Sequence, residues 1–356
     1  MNSSALIARS LAAVCFSLLA AFSAPAAPTL DIYWIDVEGG GGTLIVTPAG
    51  ESILIDTGWP TGPSAARIHA AATNAGLSRI DFLVVTHFHI DHFGGAAPLS
   101  RLMPIGTVLD NGIPGHDPDG SADSSRFLSL IQPYRDFKAE RREVIQPGDT
   151  LPLKQTDAAT PLTFRFMGTR KQFVHPPGVG GPSSLCAEAT QKPADTSDNA
   201  NSAVSLLQFG SFKFFDGGDL TWNMEGELVC PTNSIGKVDV YQVDHHGFDV
   251  SNNPLLVRSL APTVSVMNNG PTKGGGKETL ATLRGVSSIQ TMFQVHRDVK
   301  SGADNTDEQY IANLEQKCAG NYIKCSVDPS GKSYTISIPA RGFSKTYQTR
   351  TTEAGQ

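Results

Sequence analysis

The sequence is poor in charge and has no strongly basic segment. Charged residues make up 17% of the 356 residues, and the formal net charge is −6. The densest group of lysine and arginine is Lys138–Arg142, which also contains Glu140. A protein that holds nucleic acid through its phosphates usually presents a cluster of basic side chains. The composition therefore argues against a protein built mainly to bind nucleic acid tightly.

Cysteine is also scarce, and its spacing argues against a zinc site made of thiolates. None of the five cysteines belongs to a C-x-x-C pair, the usual spacing in such sites. The four cysteines after residue 26, an even number, suggest disulfides in an oxidising compartment. Cys318 and Cys325 are close enough in sequence to form one disulfide, which leaves Cys186 and Cys230 as the remaining pair. We therefore expect the sulfur to have a structural role.

The amino-terminal apolar run is too short to serve as a membrane anchor. Leu11–Phe22 falls below the roughly 20 residues that a spanning helix needs. It follows a single positive charge at Arg9 and precedes the small residues Ala24–Ala26, a pattern typical of a secretory signal peptide. We predict that residues 1–26 are such a signal and that the protein is periplasmic or secreted, with no membrane span after cleavage. Residues 27–356 are predicted to form a single domain.

Strands and helices alternate along the rest of the chain. Residues 30–55 have the pattern of three antiparallel strands, and an alanine-rich helix at Pro63–Asn74 leads to the buried strand Phe82–Val85. A similar alternation continues from residue 203 to residue 295. Between the halves, the long polar stretch Lys171–Asn201 is expected to border the functional site. The pattern predicts an α/β fold in which two mixed β-sheets pack face to face, with helices outside.

The apolar strands end in residues that bind metals. Thr86–Gly95 reads THFHIDHFGG and places three histidines and an aspartate directly after a buried strand. Asp216–Leu220 reads DGGDL, and Asp244–Gly247 reads DHHG after another apolar strand. Imidazole and carboxylate are preferred ligands of Zn²⁺, and a loop that leaves a strand can direct several of them at one or two ions. The sequence therefore predicts a metal site.

The pattern H-x-H-x-D-H resembles the signature of the metallo-β-lactamase superfamily. Asp56 in LIDTG, Asp219 in GGDL and His245 in DHHG occupy the places of its other motifs, so the resemblance covers residues 30 to about 300. It implies the four-layer αβ/βα sandwich of that family and a site for two Zn²⁺ ions, Mn²⁺ being an alternative. The metal ligands that it implies are His87, His89, Asp91, His92, Asp219 and His245, with Asp219 bridging the ions.

Within the superfamily, the sequence is most similar to the soluble domain of bacterial competence DNA-uptake proteins and their free-standing relatives. Asn199 or Asn201 stands where lactamases have a histidine, and His175 in the long loop is a candidate replacement ligand. The histidine that the competence branch has after its last core strand is replaced by Gly274–Lys277, and its HHGS has become HHGF with Phe248. The substrate class is therefore left open between a phosphodiester and a small ester, lactone or lactam.

The resemblance also implies roles for individual residues. Zinc lowers the pKa of bound water to about 7, so a metal-bound hydroxide is the expected nucleophile of an exported hydrolase. Asp91 would orient it, and His246 would protonate the leaving group, contact the substrate or support a neighbouring ligand. Asp56, Asn201 and Asp244 would support the ligands, with Asp244 fixing the tautomer of a neighbouring histidine. The alternative is a binding or scaffold module that the metal only stabilises. The oligomeric state is left open.

Overall fold

The computed structural model of the protein describes residues 28–175 and 183–350. The predicted signal peptide and its cleavage site lie outside these residues. In the two described ranges, no helix has both the length and the apolar character needed to cross a bilayer.

Seventeen strands are present in the described residues. In chain order they are β1 Leu30–Trp34, β2 Thr43–Val46, β3 Ser52–Ile55, β4 Ile80–Val84, β5 Ile105–Asp110, β6 Arg141–Val144, β7 Leu162–Thr169, β8 Gln172–Phe173, β9 Val204–Phe209, β10 Phe212–Asp216, β11 Val240–Val243, β12 Val264–Met267, β13 Thr291–His296, β14 Ile311–Asn313, β15 Ile323–Val327, β16 Ser333–Ile338 and β17 Phe343–Gln348. The α-helices are α1 Ser64–Asn74, α2 Ile90–Phe93, α3 Ala96–Ser100, α4 Ser125–Asp136, α5 Trp222–Val229, α6 Pro254–Leu260 and α7 Lys277–Gly285.

The strands form two mixed sheets. The nine-stranded sheet has the order β17-β16-β15-β1-β2-β3-β4-β5-β6, and the eight-stranded sheet has the order β14-β13-β12-β11-β10-β9-β7-β8. In the first sheet β3 to β6 are parallel, and in the second β10 to β14 are parallel. The prediction of two mixed sheets with outer helices is confirmed.

Alternation along β1 shows how the sequence builds the layers. Leu30, Ile32 and Trp34 face the core between the sheets, whereas Tyr33 and the following Ile35 face the outer helices. Successive side chains of a strand point to opposite faces, so a slip of one residue would exchange the two sets. Burying one large apolar side chain contributes roughly 1.5–3 kcal/mol, so the register is strongly determined.

Three apolar cores separate the four layers. One lies between the sheets, the second between the nine-stranded sheet and helices α1, α3 and α4, and the third between the eight-stranded sheet and helices α5, α6 and α7. A buried polar contact crosses the central core, where Nε1 of Trp34 and Oγ1 of Thr43 both donate to Oε1 of Gln242, at 2.9 and 2.6 Å. This contact ties the sheets together near the end that carries the histidine motif.

The disulfide pattern differs from our expectation. Cys186 and Cys230 form a disulfide, but Cys318 and Cys325 are free thiols, so the predicted bond between them is wrong. Cys325 lies on β15 and points into the core between the sheets, whereas Cys318 lies in the preceding loop, beside Asp36. Their short separation in sequence does not determine which way the two side chains point.

Candidate metal centre

The motif Thr86–Gly95 lies at the carboxyl end of β4. This strand is parallel to both neighbours, β3 and β5, and the chain leaves it through a loop into the short helix α2. His87, Asp91 and His92 are buried, with exposed fractions of 0%, 6% and 1%. His89 is partly exposed. The fold therefore turns most of this polar motif inward.

The other half of the site comes from the eight-stranded sheet. Asp219 follows β10, and His245 and His246 follow its parallel neighbour β11. The carboxyl ends of such strands are the usual place for ligands in α/β proteins. His245 and His246 have φ angles of 53° and 54°, a left-handed conformation that is uncommon outside glycine and concentrates at functional sites. The turn separates the two ring centroids by 6.1 Å.

The side chains from both sheets converge on Asp219. Its Oδ2 lies 3.1 Å from Nε2 of His92, 3.5 Å from those of His245 and His246, and 3.8 Å from that of His87. Oδ2 of Asp91 lies 3.4 Å from Nε2 of His92 and 3.3 Å from Nε2 of His246. The residues form two groups, and within each group the ligand atoms lie within 4.8 Å of one another. One group is His87, His92 and Asp219, and the other is Asp91, His92 and His246.

Hydrogen bonds at the far side of two rings fix their tautomers. Nδ1 of His92 lies 2.7 Å from Oδ2 of Asp56, and Nδ1 of His246 lies 3.0 Å from the carbonyl oxygen of Asn268. Both partners accept, so Nδ1 is the donor in each ring and the lone pair of a neutral ring is on Nε2. These two Nε2 atoms are 3.2 Å apart. Acceptors that converge in this way require protons or a cation between them.

Charge dominates the titration of this cluster. Burial lowers the pKa of His92, but Asp219, Asp56 and Asp91 outweigh burial and raise the pKa well above its ordinary value. Burial likewise opposes ionisation of Asp219, but the histidines around it hold the pKa of that carboxyl well below its usual range. The carboxylates therefore remain ionised and need positive charge beside them.

His87 shows that the residues fit a metal ion. Its Nε2 is buried and has no hydrogen-bond partner among the described residues. Burial and the neighbouring His92 lower the pKa of His87 well below its usual value, so its imidazole is neutral. An unpaired buried nitrogen is costly unless something binds it. A divalent ion bound by neutral imidazoles and ionised carboxylates satisfies this requirement.

His89 lies outside both groups. Its ring centroid is 4.6 Å from that of His87, but its Nε2 pairs with the carboxylate of Asp119, at 3.0 and 3.1 Å. Its predicted role as a ligand stays a prediction. Asp119, in the loop before α4, was not found by sequence reasoning because nothing in its local pattern links it to the histidine motif.

Other groups occupy the positions beside His245 and His246 that were expected for Asp244. Oγ of Ser251 lies 3.1 Å from Nδ1 of His245, and a backbone carbonyl accepts from His246. The buried carboxyl of Asp244 instead faces Glu225, and burial together with that neighbour raises the pKa of Asp244 well above its usual value. The left-handed turn after Asp244 carries the two histidines away from its side chain, which packs against Gly217.

The polar stretch Lys171–Asn201 reaches the site through its carboxyl-terminal end. Asn201 donates to Oδ1 of Asp198 at 3.0 Å, and Oδ2 of Asp198 accepts from the backbone N–H of Phe88 at 2.6 Å. Asn201 thus supports the loop between the first two histidines of the motif. His175 does not enter either ligand group, because its Nδ1 lies 2.7 Å from Oγ of Ser234.

A lysine that the sequence analysis did not select lies at the site. Nζ of Lys273 contacts Oδ2 of Asp91 and lies 5.1 Å from the centre of the Trp59 ring. Lys273 belongs to the glycine-rich turn after β12, another strand whose carboxyl end faces the cluster. Its position directly after an apolar strand is the feature of the sequence that could have identified Lys273.

Comparison with known families agrees with this geometry. A model of the metallo-beta-lactamase superfamily matches residues 38–183, which include the histidine motif and Asp56. Residues 38–183 of this chain are therefore similar to the metallo-beta-lactamase superfamily. Members of the superfamily include metal-dependent hydrolases, and the present site has the histidine and aspartate groups that such proteins need.

Curated relatives include competence proteins. Recombination protein 2 of Haemophilus influenzae is 25% identical over 260 residues, which are 72% of this chain and 26% of that protein. ComE operon protein 3 of Bacillus subtilis is 22% identical over 255 residues, 67% of this chain and 28% of that protein. A UPF0173 metal-dependent hydrolase of Cupriavidus necator is 33% identical over 78 residues, 22% of this chain and 25% of that protein. The chain therefore spans about a quarter of the length of these relatives.

Two solved structures are similar to this chain at low sequence identity. The subclass B3 metallo-beta-lactamase MEM-A1, isolated from a soil metagenome library, has a TM-score of 0.34 and 15% identity, and the match covers 76% of this chain and 77% of that one. A diphosphatase of the PhnP family has a TM-score of 0.37 and 14% identity, with 74% of this chain and 94% of that one covered.

Proposed function

We propose that this protein is a dinuclear metal-dependent hydrolase that acts on a small phosphodiester. The observation that carries the proposal is the convergence of His92 and His246 with the carboxylates of Asp91 and Asp219. Both rings present Nε2 to the same space, and Nζ of Lys273 reaches Asp91 at its edge. Such a set of acceptors is suited to divalent cations.

Zn²⁺ is the proposed ion, because imidazole and carboxylate ligands suit it. When bound, zinc supplies a Lewis acid and makes water nucleophilic at neutral pH. His87, His92 and Asp219 would hold one ion, and Asp91 and His246 would hold the other.

The proposal changes the expected role of His246. The sequence left it as a proton donor, a substrate contact or a residue that supports a ligand, but its Nε2 lies 3.3 Å from Oδ2 of Asp91, inside the second ligand group. We therefore assign it as a ligand. Burial lowers the pKa of His245 to about 4, so that ring is neutral at pH 7 and free to bind beside Asp219, from which its Nε2 is 3.5 Å away.

Two neighbouring groups position the ligands for catalysis. Asp56 accepts from His92 and from both the backbone N–H and the hydroxyl of Thr86, so it fixes the ring and the strand end together. The carbonyl oxygen of Asn268 accepts from Nδ1 of His246 and so fixes that ring. Such outer partners orient a ligand and fix its tautomer before any ion binds.

The choice of a phosphodiester rests on charge. Lys273 places a cation next to Asp91, where it can bind a negatively charged group of the substrate. The resemblance to competence DNA-uptake proteins supports the same substrate class. The net charge of −6 and the absence of a basic segment favour a small molecule over a long nucleic acid.

We also propose that the protein is exported. The signal-like pattern of residues 1–26 supports this, as does the disulfide between Cys186 and Cys230, since disulfides persist mainly in oxidising compartments.

A substrate panel tests the proposal. Zinc-loaded protein should hydrolyse bis-p-nitrophenyl phosphate faster than nitrocefin or a lactone. The double variant His87→Ala/Asp91→Ala should lose turnover and keep its circular-dichroism spectrum. His116→Ala, which changes an exposed loop histidine, is the matched control and should retain turnover.

Two outcomes would contradict the proposal. Faster hydrolysis of nitrocefin or the lactone would replace the phosphodiester with a small ester or lactam as substrate. Protein that binds zinc but turns over none of the three compounds would favour the alternative, a metal-stabilised binding module.

A further inference from the structure

A second cluster of metal-binding side chains lies apart from the centre described above. Asp36 follows β1 in the nine-stranded sheet, His296 ends β13 in the eight-stranded sheet, and Cys318 lies in the loop before β15. Asp36 and His296 are fully buried, and Cys318 is partly exposed. One ligand atom from each lies within 4.8 Å of the others, and no residue is shared with the first centre.

The distances in this cluster match those between ligands of a zinc ion. Sγ of Cys318 lies 3.1 Å from Oδ2 of Asp36 and 3.6 Å from Nε2 of His296. With Zn–O, Zn–N and Zn–S bonds of about 2.0–2.3 Å at tetrahedral angles, ligand atoms are roughly 3.3–3.6 Å apart. The two distances from Cys318 therefore need little change for one ion to bind, and the ligand atoms of Asp36 and His296 lie within 4.8 Å of each other.

The outer contacts already orient the ligands. Nδ1 of His296 lies 2.9 Å from the carbonyl oxygen of Arg297 and donates to it, which leaves the lone pair on Nε2 facing Cys318. Oδ1 of Asp36 accepts from the backbone N–H of Glu38 at 2.9 Å, and Nη1 of Arg67 lies 3.0 Å from Oδ2. A carbonyl that accepts from the imidazole and donors to the carboxylate are the usual surroundings of metal ligands. Nη2 of Arg67 also lies 3.9 Å from Sγ of Cys318.

Charge in the cluster suits a divalent cation. Nη1 of Arg67 also lies 2.8 Å from Oε1 of Glu38. With Cys318 as a thiolate, three negative groups (Asp36, Glu38 and Cys318) face one guanidinium, which leaves two negative charges. Burial and the carboxylate of Asp36 raise the pKa of Cys318 to about 11, so the free thiol keeps its proton and a bound ion would displace it.

An open cavity gives access to the cluster. Cys318 lines a cavity of about 740 Å³ together with Glu38, Trp59 and Thr272. An ion can enter through it, and water from it can take the fourth position. Three protein ligands with one open position is the composition of a reactive zinc site rather than a closed structural one.

We propose that Asp36, His296 and Cys318 form a third, mononuclear zinc site that links the two sheets. This goes beyond the proposed hydrolase function and assigns Cys318 a chemical role that the absence of C-x-x-C spacing had argued against. The C-x-x-C spacing is typical of zinc sites whose thiolates come from one loop, whereas these three ligands come from distant segments of the chain.

Cobalt substitution tests this site by a signal that the first centre cannot produce. A thiolate bound to cobalt(II) gives a near-ultraviolet charge-transfer band, and no ligand of the first centre contains sulfur. The full-length protein saturated with cobalt(II) should show this band. Cys318→Ser should lose it, and Cys325→Ala, the matched control at a free thiol outside the cluster, should keep it. The double variant His87→Ala/Asp91→Ala should also keep it, which separates this site from the proposed function.

A measurement on the unaltered protein avoids dependence on the folding of the serine variant. Zinc should slow alkylation of Cys318 by iodoacetamide by about tenfold or more, read by peptide mass spectrometry, because a bound thiolate is no longer free to react. The proposal is overturned by a missing band at saturating cobalt, by a band that survives Cys318→Ser, or by an alkylation rate that zinc leaves unchanged.

Discussion

Replacing Asp56 by asparagine should weaken metal binding without unfolding the protein. The carboxylate of Asp56 accepts three hydrogen bonds, from the backbone N–H of Thr86 at 2.8 Å, from its hydroxyl at 2.7 Å and from Nδ1 of His92 at 2.7 Å. Asparagine has the same shape but offers one acceptor oxygen and one NH₂ group. It also tolerates the left-handed backbone of this position, where φ is 60°.

The arrangement of donors predicts which contact changes. If the amide oxygen faced His92, the NH₂ group would face the backbone N–H of Thr86, and a buried unpaired N–H costs about 1–3 kcal/mol. If the NH₂ group faces His92 instead, that ring can shift its proton to Nε2 and accept through Nδ1. The second arrangement is therefore favoured, and it removes the lone pair of Nε2 that a metal needs.

We expect zinc affinity to fall by about 10- to 100-fold, or roughly 1.4–2.8 kcal/mol, the usual effect of losing such an outer partner. Competition with a chromophoric chelator measures this change, and circular dichroism checks the fold. Asp81→Asn is the matched control, because Asp81 also accepts from a backbone N–H and a hydroxyl, both of Ser52, at 2.9 and 3.0 Å, but contacts no imidazole. Equal zinc affinity in wild type and Asp56→Asn, or equal losses in both variants, would refute the tautomer argument.

Three further changes probe the close packing, the titration and the disulfide. Gly41→Ala should lower the metal content of the folded protein, as measured by mass spectrometry. The reason is that the added Cβ would lie 2.7 Å from Asp56 and 2.9 Å from Nδ1 of His92. An unchanged metal content would contradict this. Burial raises the pKa of Asp239 to about 6, so the stability that this shift contributes is present below pH 4 and lost as the pH rises through 6. Asparagine does not titrate, so the free energy of unfolding of wild type relative to Asp239→Asn, measured in urea, should fall by up to about 3 kcal/mol between pH 4 and pH 7. A difference that stays constant with pH would refute the shift. Cys230→Ser opens a loop with a sequence separation of 44 and should cost about 4 kcal/mol of unfolding free energy, whereas a loss below about 1 kcal/mol would show that the disulfide contributes little.

The sequence was sufficient for the layers of the fold and for the position of the site. Both depend on local patterns, namely alternation within strands such as β1 and polar residues directly after apolar strands such as β4. The helix predicted at Pro63–Asn74 is observed at Ser64–Asn74, and the strand predicted at Phe82–Val85 is observed at Ile80–Val84. Since parallel strands bring their carboxyl ends to one edge, residues distant in sequence could be grouped without coordinates.

Only the tertiary structure decided which side chains meet. The left-handed turn at His245 and His246 directs His246 into the second ligand group, and neighbouring identical residues give no sign of this in sequence. Lys273 reaches Asp91 across 182 positions, and Cys318 meets Asp36 across 282 rather than bonding to Cys325. Local patterns determine the strands, the helices and the polar residues that follow a strand. Contacts between distant loops depend instead on backbone turns and on how the two sheets pack, and both are determined only when the whole chain is folded.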